Sequence, residues 1–142
     1  MKALTLWEPW ASLVAVEEKK VETRIWATKY RGPLAIHAAK KSPPEWLGAS
    51  RNGDYFQERL ALIEKKYGWE NGWWKQTAGN VLCIVNLVAV ECTELVRVDL
   101  GEQEILFGNY DHGRYALFFE MIERFETPIP AKGNRLLWEW KR

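Results

Sequence analysis

The sequence predicts a mixed α/β (α+β) fold: a small β-barrel with two to three helices packed around it. Three observations predict this. Short runs rich in valine, isoleucine and leucine alternate with turn signals along most of the chain. Two stretches instead carry helical spacing, one at Trp10, Leu13 and Val14 and one at Phe56, Leu60, Ile63 and Tyr67. Apolar residues make up 47% and charged residues 27% of 142 residues, enough apolar content to bury a core without disulfides or metal. No linker, repeat or low-complexity segment divides the chain, so one domain over residues 1–142 is expected.

Each element reflects local chemistry. Lys2 to Leu6 reads as a strand, and Pro9 sits where a helix readily begins. That helix should end near Glu17, Glu18 and Lys19. Val21 to Ile25 is a short strand, with a turn after it around Lys29 to Gly32. In the strand Leu34 to Ala38, Leu34, Ile36 and Ala38 share one face while Ala35 and His37 share the other. Ser42-Pro43-Pro44-Glu45 reads as a loop opening a helical turn, and Arg51-Asn52-Gly53-Asp54 as a second break. A helix from about Asp54 to Lys66 comes next, with Gly68 as its terminator. Trp69, Trp73 and Trp74 crowd a glycine-bearing loop. Asn80 to Thr93 has the continuous apolar character of a central strand. Tyr115 to Phe125 is a further strand, Pro128 and Pro130 break the chain after it, and Arg135 to Trp140 is the last strand.

Composition limits the class of function. No apolar run approaches the ~20 residues that span a bilayer. The apolar start is too short for a secretory signal, and Cys83 and Cys92, both in one apolar segment, suit a reducing compartment. A cytoplasmic protein with no membrane partner is expected, with a monomer as the favoured state. His37, His112, Cys83 and Cys92 have none of the close paired spacings of zinc sites, and no phosphate-cradling glycine loop or serine elbow is present. No metal and no cofactor is expected.

The net charge is only +1, but its distribution is uneven. From Lys19 to Lys41 there are seven basic residues (Lys19, Lys20, Arg24, Lys29, Arg31, Lys40 and Lys41) against one acid, Glu22. Such a cluster draws phosphate-bearing partners; it can also be balanced in space by acids such as Glu17 and Glu18. On a strand, Glu22, Arg24 and Trp26 point together. The trio reads either as plain cross-strand pairing or as a site in which Arg24 holds phosphate, Glu22 orients it and Trp26 offers a stacking plane. Gly32 and Pro33 make a rigid turn that presents Arg31. Gly108 to Tyr115 is a tight loop able to deliver Asp111, His112 or Arg114 to a cleft, or a simple surface turn.

These residues resemble the ASCH domain, a branch of the PUA-like superfamily, in its small bacterial and phage-type form. The family pattern of glycine, any residue, lysine, two residues, glutamate, one residue and arginine is met by Lys19, Glu22 and Arg24, with Glu17 at the glycine position. Leu6 to Leu13, Tyr30 to Lys40, Gly108 to Tyr115 and Pro128 to Gly133 with Leu137-Trp138 are also similar to the family. The chain departs from it at Asp111 and His112, where serine and proline are frequent, and at Leu117, where tryptophan is frequent. The resemblance implies a PUA-like barrel and recognition of RNA, a nucleotide or a nucleoside, with Arg24, Trp26, Tyr30, Arg31, Lys40, Lys41 and Arg114 as binding residues. As an alternative it implies a metal-independent hydrolase, a ribonuclease or an amidohydrolase acting on N4-acetylcytidine. Lys19 and Glu22 are then the acid–base candidates. The amidohydrolase subset has a threonine nucleophile where this chain has Glu22, and glutamate cannot serve as that hydroxyl.

Overall fold

The structure, a computed structural model, describes residues 1–41 and 53–142. The loop expected at Ser42 to Glu45 and the Arg51-Asn52 part of the second break lie outside the described residues. Strand β1 (Lys2–Leu6) runs parallel to β3 (Gly32–Ala38) and antiparallel to the short β6 (Leu137–Glu139). Strand β2 (Val21–Arg24) pairs antiparallel with the start of β5 (Tyr115–Pro130). The long β4 (Asn80–Cys92) lies between β3 and β5, which gives one six-stranded sheet in the order β2-β5-β4-β3-β1-β6. Three register irregularities between β4 and β5 add local twist, and the sheet curls into a half-barrel. The curl brings distant strands together: the Arg24 guanidinium on β2 donates to the Thr5 carbonyl on β1 at 2.9 Å.

Helix α1 (Trp10–Ala15) is buried from Ala11 to Ala15. Glu8, which has no exposed surface, accepts hydrogen bonds at its first turn from the Ser12 amide (2.8 Å) and Ser12 Oγ (2.5 Å), and from Thr77 Oγ1. It thereby occupies an amide that the helix itself leaves without a partner. Just beyond the helix, Glu17 has a φ of 62°, the left-handed conformation that glycine adopts most easily. Helix α2 (Gly53–Tyr67) directs Phe56, Leu60 and Ile63 onto Leu13 of α1 and onto Phe107, and Gly68 with φ +71° stops it. Helix α3 (Trp74–Thr77) leads into β4. Inside the curl, Leu4, Leu6, Leu34, Ile36, Val85, Leu87 and Leu117 form the main core, while Ala3, Ala35, Val81 and Trp140 pack together on the other face. The alternation expected in β3 therefore holds, with both faces buried.

Several features differ from the sequence-based expectation, among them helix α3, which begins at Trp74 in the expected loop, and the last strand, which shrinks to Leu137–Glu139. Strand β5 does not break at Pro128; it continues to Pro130, paired with Asn80 of β4. Strand β2 covers only Tyr115 to Phe118 of β5, so among the described residues the far half of β5 has one edge unpaired by a strand, where proline's missing N–H is tolerated. The segment after β4 holds three unanticipated turns of helix: α4 (Thr93–Val96), a 3-10 turn (Arg97–Asp99) and α5 (Glu102–Leu106). They are four, three and five residues long, too short for a helical period to show. Among the described residues no helix is long and apolar enough to cross a membrane.

Candidate functional site

Strand β2 alternates two buried residues, Val21 and Thr23, with two half-buried ones, Glu22 and Arg24. Arg24 Nη2 lies 3.2 Å from Glu22 Oε2, and Nε donates to the same oxygen at 3.3 Å. With the bond to Thr5 O, these contacts hold the guanidinium in one orientation. Its centre lies 6.0 Å from the Trp26 ring centroid. Of the trio expected on one strand face, Glu22 and Arg24 share it, while Trp26 lies past the end of β2 and packs against the main core.

The loop 108–114 lies beside this strand. A Cβ on Gly108 would stand 2.5 Å from Tyr110 Cε2, so only glycine lets that ring pack here. Fully buried Thr93 donates its hydroxyl to the Asp111 carbonyl at 2.7 Å, and its amide to the Arg114 carbonyl at 3.0 Å. The Asn109 amide donates to Thr23 Oγ1 at 3.2 Å. Arg114 is aimed by two carbonyls, Asn109 O at 3.1 Å and Thr23 O at 3.3 Å. Tyr110 is only 5% exposed, and its hydroxyl is a buried polar atom with no hydrogen-bond partner among the described residues. Burial, and then the nearby carboxylates of Glu104 and Glu22, push its pKa far above the usual phenol range.

Strand β2, the loop 108–114, α5 and the segment before α1 enclose an open cleft of about 730 Å³. Among the described residues, three arginines line it, Arg24, Arg97 and Arg114, with two acids, Glu22 and Asp111. Its apolar lining includes Trp7, Trp10, Phe107 and the Tyr110 ring. The Trp10 indole is fixed by donation to the Phe107 carbonyl at 2.7 Å, whereas Trp7 is 43% exposed. Cationic forks around aromatic surfaces can hold an anionic ligand that also carries a flat ring.

Of the residues singled out in the sequence, Glu22, Arg24, Asp111 and Arg114 line this cleft. Lys19 does not. Its side chain is fully buried, and Nζ donates to the Val21 carbonyl and to Glu104 Oε1 at 3.2 Å. Glu104 also accepts the amides of Lys20 (2.9 Å) and Val21 (3.2 Å), so the pair ties α5 to the start of β2. Tyr30 donates its hydroxyl to Pro33 O at 2.5 Å, and Arg31 Nη1 donates to the carbonyls of Thr28 and Tyr30. Both therefore brace their own turn. Lys40 and Lys41 are exposed and, like exposed His112, lie outside the cleft lining. His37 is buried: Nε2 donates to Ala131 O at 2.8 Å, and Nδ1 sits 3.1 Å from Thr5 Oγ1. The basic stretch is thus one in sequence only, and its residues divide among the cleft, a buried ion pair and an outer turn.

Arg97 and Tyr110 were not singled out in the sequence. Arg97 stands in a short turn with no periodic signal. Tyr110 lies inside the recognised loop, but its chemistry is set by burial, which a turn signal does not reveal. Among the described residues no group of three or more histidine, cysteine, aspartate or glutamate side chains could hold a metal ion.

The profile of the ASCH domain family matches residues 4–128. A search of curated proteins finds no match. Among solved structures, the chain is similar to a mutant ZmASCH protein from Zymomonas mobilis. The likeness covers 99% of this chain and 89% of that one, at 14% identity and a TM-score of 0.49.

Proposed function

The chain belongs to the ASCH domain family, and on that basis we propose that it binds single-stranded RNA, or a nucleotide unit of it, in the arginine-lined cleft. Membership in this family supports a general nucleic-acid-binding or hydrolase-like domain. The observation that carries the finer reading is the convergence of Arg24, Arg97 and Arg114 around aromatic walls. Phosphates bind arginine forks whatever the sequence, and bases stack on aromatic rings, gaining about 1–3 kcal/mol each. A cleft of about 730 Å³ is on the scale of a small-ligand site and suits an unstacked strand. Arg24, Arg97 and Arg114 hold phosphate in this reading, and Trp26 supports Arg24 from outside the cleft lining. Tyr30, Arg31, Lys40 and Lys41 are candidate outer contacts for a longer strand.

Fluorescence anisotropy with a short labelled single-stranded RNA tests this. Arg97→Ala removes an exposed side chain and should weaken binding about tenfold, alike for all sequences. Lys41→Ala, outside the cleft lining, should weaken it less. No binding at low salt and high micromolar protein would sink the reading.

A second reading, hydrolysis of RNA or of a modified nucleoside such as N4-acetylcytidine, draws on the Glu22 carboxylate lining the cleft beside Arg24. With Lys19 Nζ buried against Glu104, acid–base work falls to Glu22. Turnover in the presence of chelator that disappears in Glu22→Gln would support it; turnover that survives Glu22→Gln would count against it.

A further inference from the structure

The ion pair between Glu22 and Arg24 leaves one carboxylate oxygen over. Nε and Nη2 of Arg24 both reach Oε2 of Glu22, at 3.3 and 3.2 Å. Oε1 takes no hydrogen bond among the described residues. It is not shut in either. Among the described residues the buried side-chain polar atom without a partner is the Tyr110 hydroxyl, so Oε1 keeps accessible surface. Glu22 lines the cleft, and its side chain is 13% exposed. Nη1 of Arg24 is open in the same way, since the bond to Thr5 O is made by Nη2. The guanidinium, fixed by Thr5, in turn fixes the carboxylate. The cleft wall therefore presents an oriented acceptor beside an oriented donor.

A carboxylate oxygen accepts hydrogen bonds and repels other anions. Phosphate is turned away from Oε1 and left to Nη1 of Arg24 and to Arg97 and Arg114, which line the same cleft. What suits Oε1 is an N–H of the ligand. The exocyclic amino group of cytosine or adenine extends such a donor at the edge of the base, and a glutamate accepting from cytosine N4 is a recurring pairing. Uracil has a carbonyl oxygen in that place, and its ring N–H lies between two carbonyls, so its edge meets Oε1 with like partial charge. We propose that Glu22 is a specificity residue of the cleft: Oε1 accepts an N–H from the exocyclic amino group of an unstacked base and rejects uracil, while the arginines hold phosphate. This rests on the nucleic-acid reading above and extends it, assigning the choice of base to one oxygen.

Competition by unlabelled strands in the anisotropy assay tests the assignment. The competitors are short single strands of cytidine, of uridine, and of the cytidine analogue in which hydrogen replaces the amino group. The cytidine strand should bind about tenfold more tightly than either of the others. In Glu22→Gln the side-chain carbonyl stays on Arg24, which puts the amide N–H2 in the place of Oε1. A donor then stands where an acceptor stood, so the order of cytidine and uridine should reverse, with a circular dichroism spectrum showing the fold retained. If Glu22→Gln weakens all three strands alike, Glu22 acts only through Arg24 and the proposal is overturned. It is overturned equally if the variant keeps the wild-type preference. The wild-type comparison needs no variant: if RNA binds but the three strands compete equally, this proposal fails while the nucleic-acid reading stands. If no strand binds at low salt, both fail.

Discussion

Glu8 shows how far one side chain's behaviour depends on its surroundings. Burial raises its pKa above the ordinary 4.5 of glutamate, and the bonds from Ser12 and Thr77 only partly oppose this. A raised carboxyl pKa means that the folded state holds its proton more tightly than the unfolded state does. The associated stability is fully present below pH 4.5 and is lost as pH rises through the folded value. Glu8→Gln removes the charge. Its melting temperature relative to wild type should therefore rise as pH rises across that window, as measured by circular dichroism melts at a series of pH values. A pH-independent difference would show that Glu8 does not titrate there. At this scale the sequence was legible where a period exists. Glu22 and Arg24 obey the alternation of a strand, whereas Trp26 lies beyond the strand's end and packs against the main core, with Arg24 within 6.0 Å of its ring. The role of Lys19 was not legible, because the partner that buries it, Glu104, lies on a helix 85 residues away.

The loop 108–114 and α4 depend on each other. Thr93, at the start of α4, has no exposed surface, and its hydroxyl holds the Asp111 carbonyl. The loop in turn places Tyr110 and Arg114 at the cleft. Thr93→Val keeps the shape and removes the donor, which should cost about 0.5–1.5 kcal/mol. The urea midpoint should fall with an unchanged m-value. RNA affinity should fall a few-fold although Thr93 does not line the cleft. Lost stability with wild-type affinity would show that Thr93 does not set the loop's placement. The paired glycines made this loop readable as a turn. The short helices after β4 were not readable, since four or five residues cannot display a helical period, and Pro128 misled because its effect depends on which neighbouring strand is present.

A net charge of +1 produces no strong field around the whole molecule. Attraction for a polyanion must then come from local arginines. If Arg24, Arg97 and Arg114 each neutralise one phosphate, the slope of log affinity against log salt should be about −2 for a single strand. Anisotropy titrations from ~50 to ~300 mM salt would measure it. A slope near zero would place the affinity in stacking alone. A slope steeper than about −4 would bring in Arg31, Lys40 and Lys41 as direct phosphate contacts.

The strand and helix periods, the α+β class, the family and the face of β2 that bears Glu22 and Arg24 are all written in the chain itself. These are local properties, set by side-chain alternation and by glycine and proline at turns. Which basic residues share a site is a matter of packing. Strand β2 pairs with β5, roughly a hundred residues away in the chain, and the curl of the sheet carries Arg24 to Thr5 and beside Arg97 and Arg114. The same packing buries Lys19 and leaves Arg31, Lys40 and Lys41 outside the cleft. Proximity of that kind is created by long-range strand pairing and sheet curvature, and a run of charges in the sequence does not encode it.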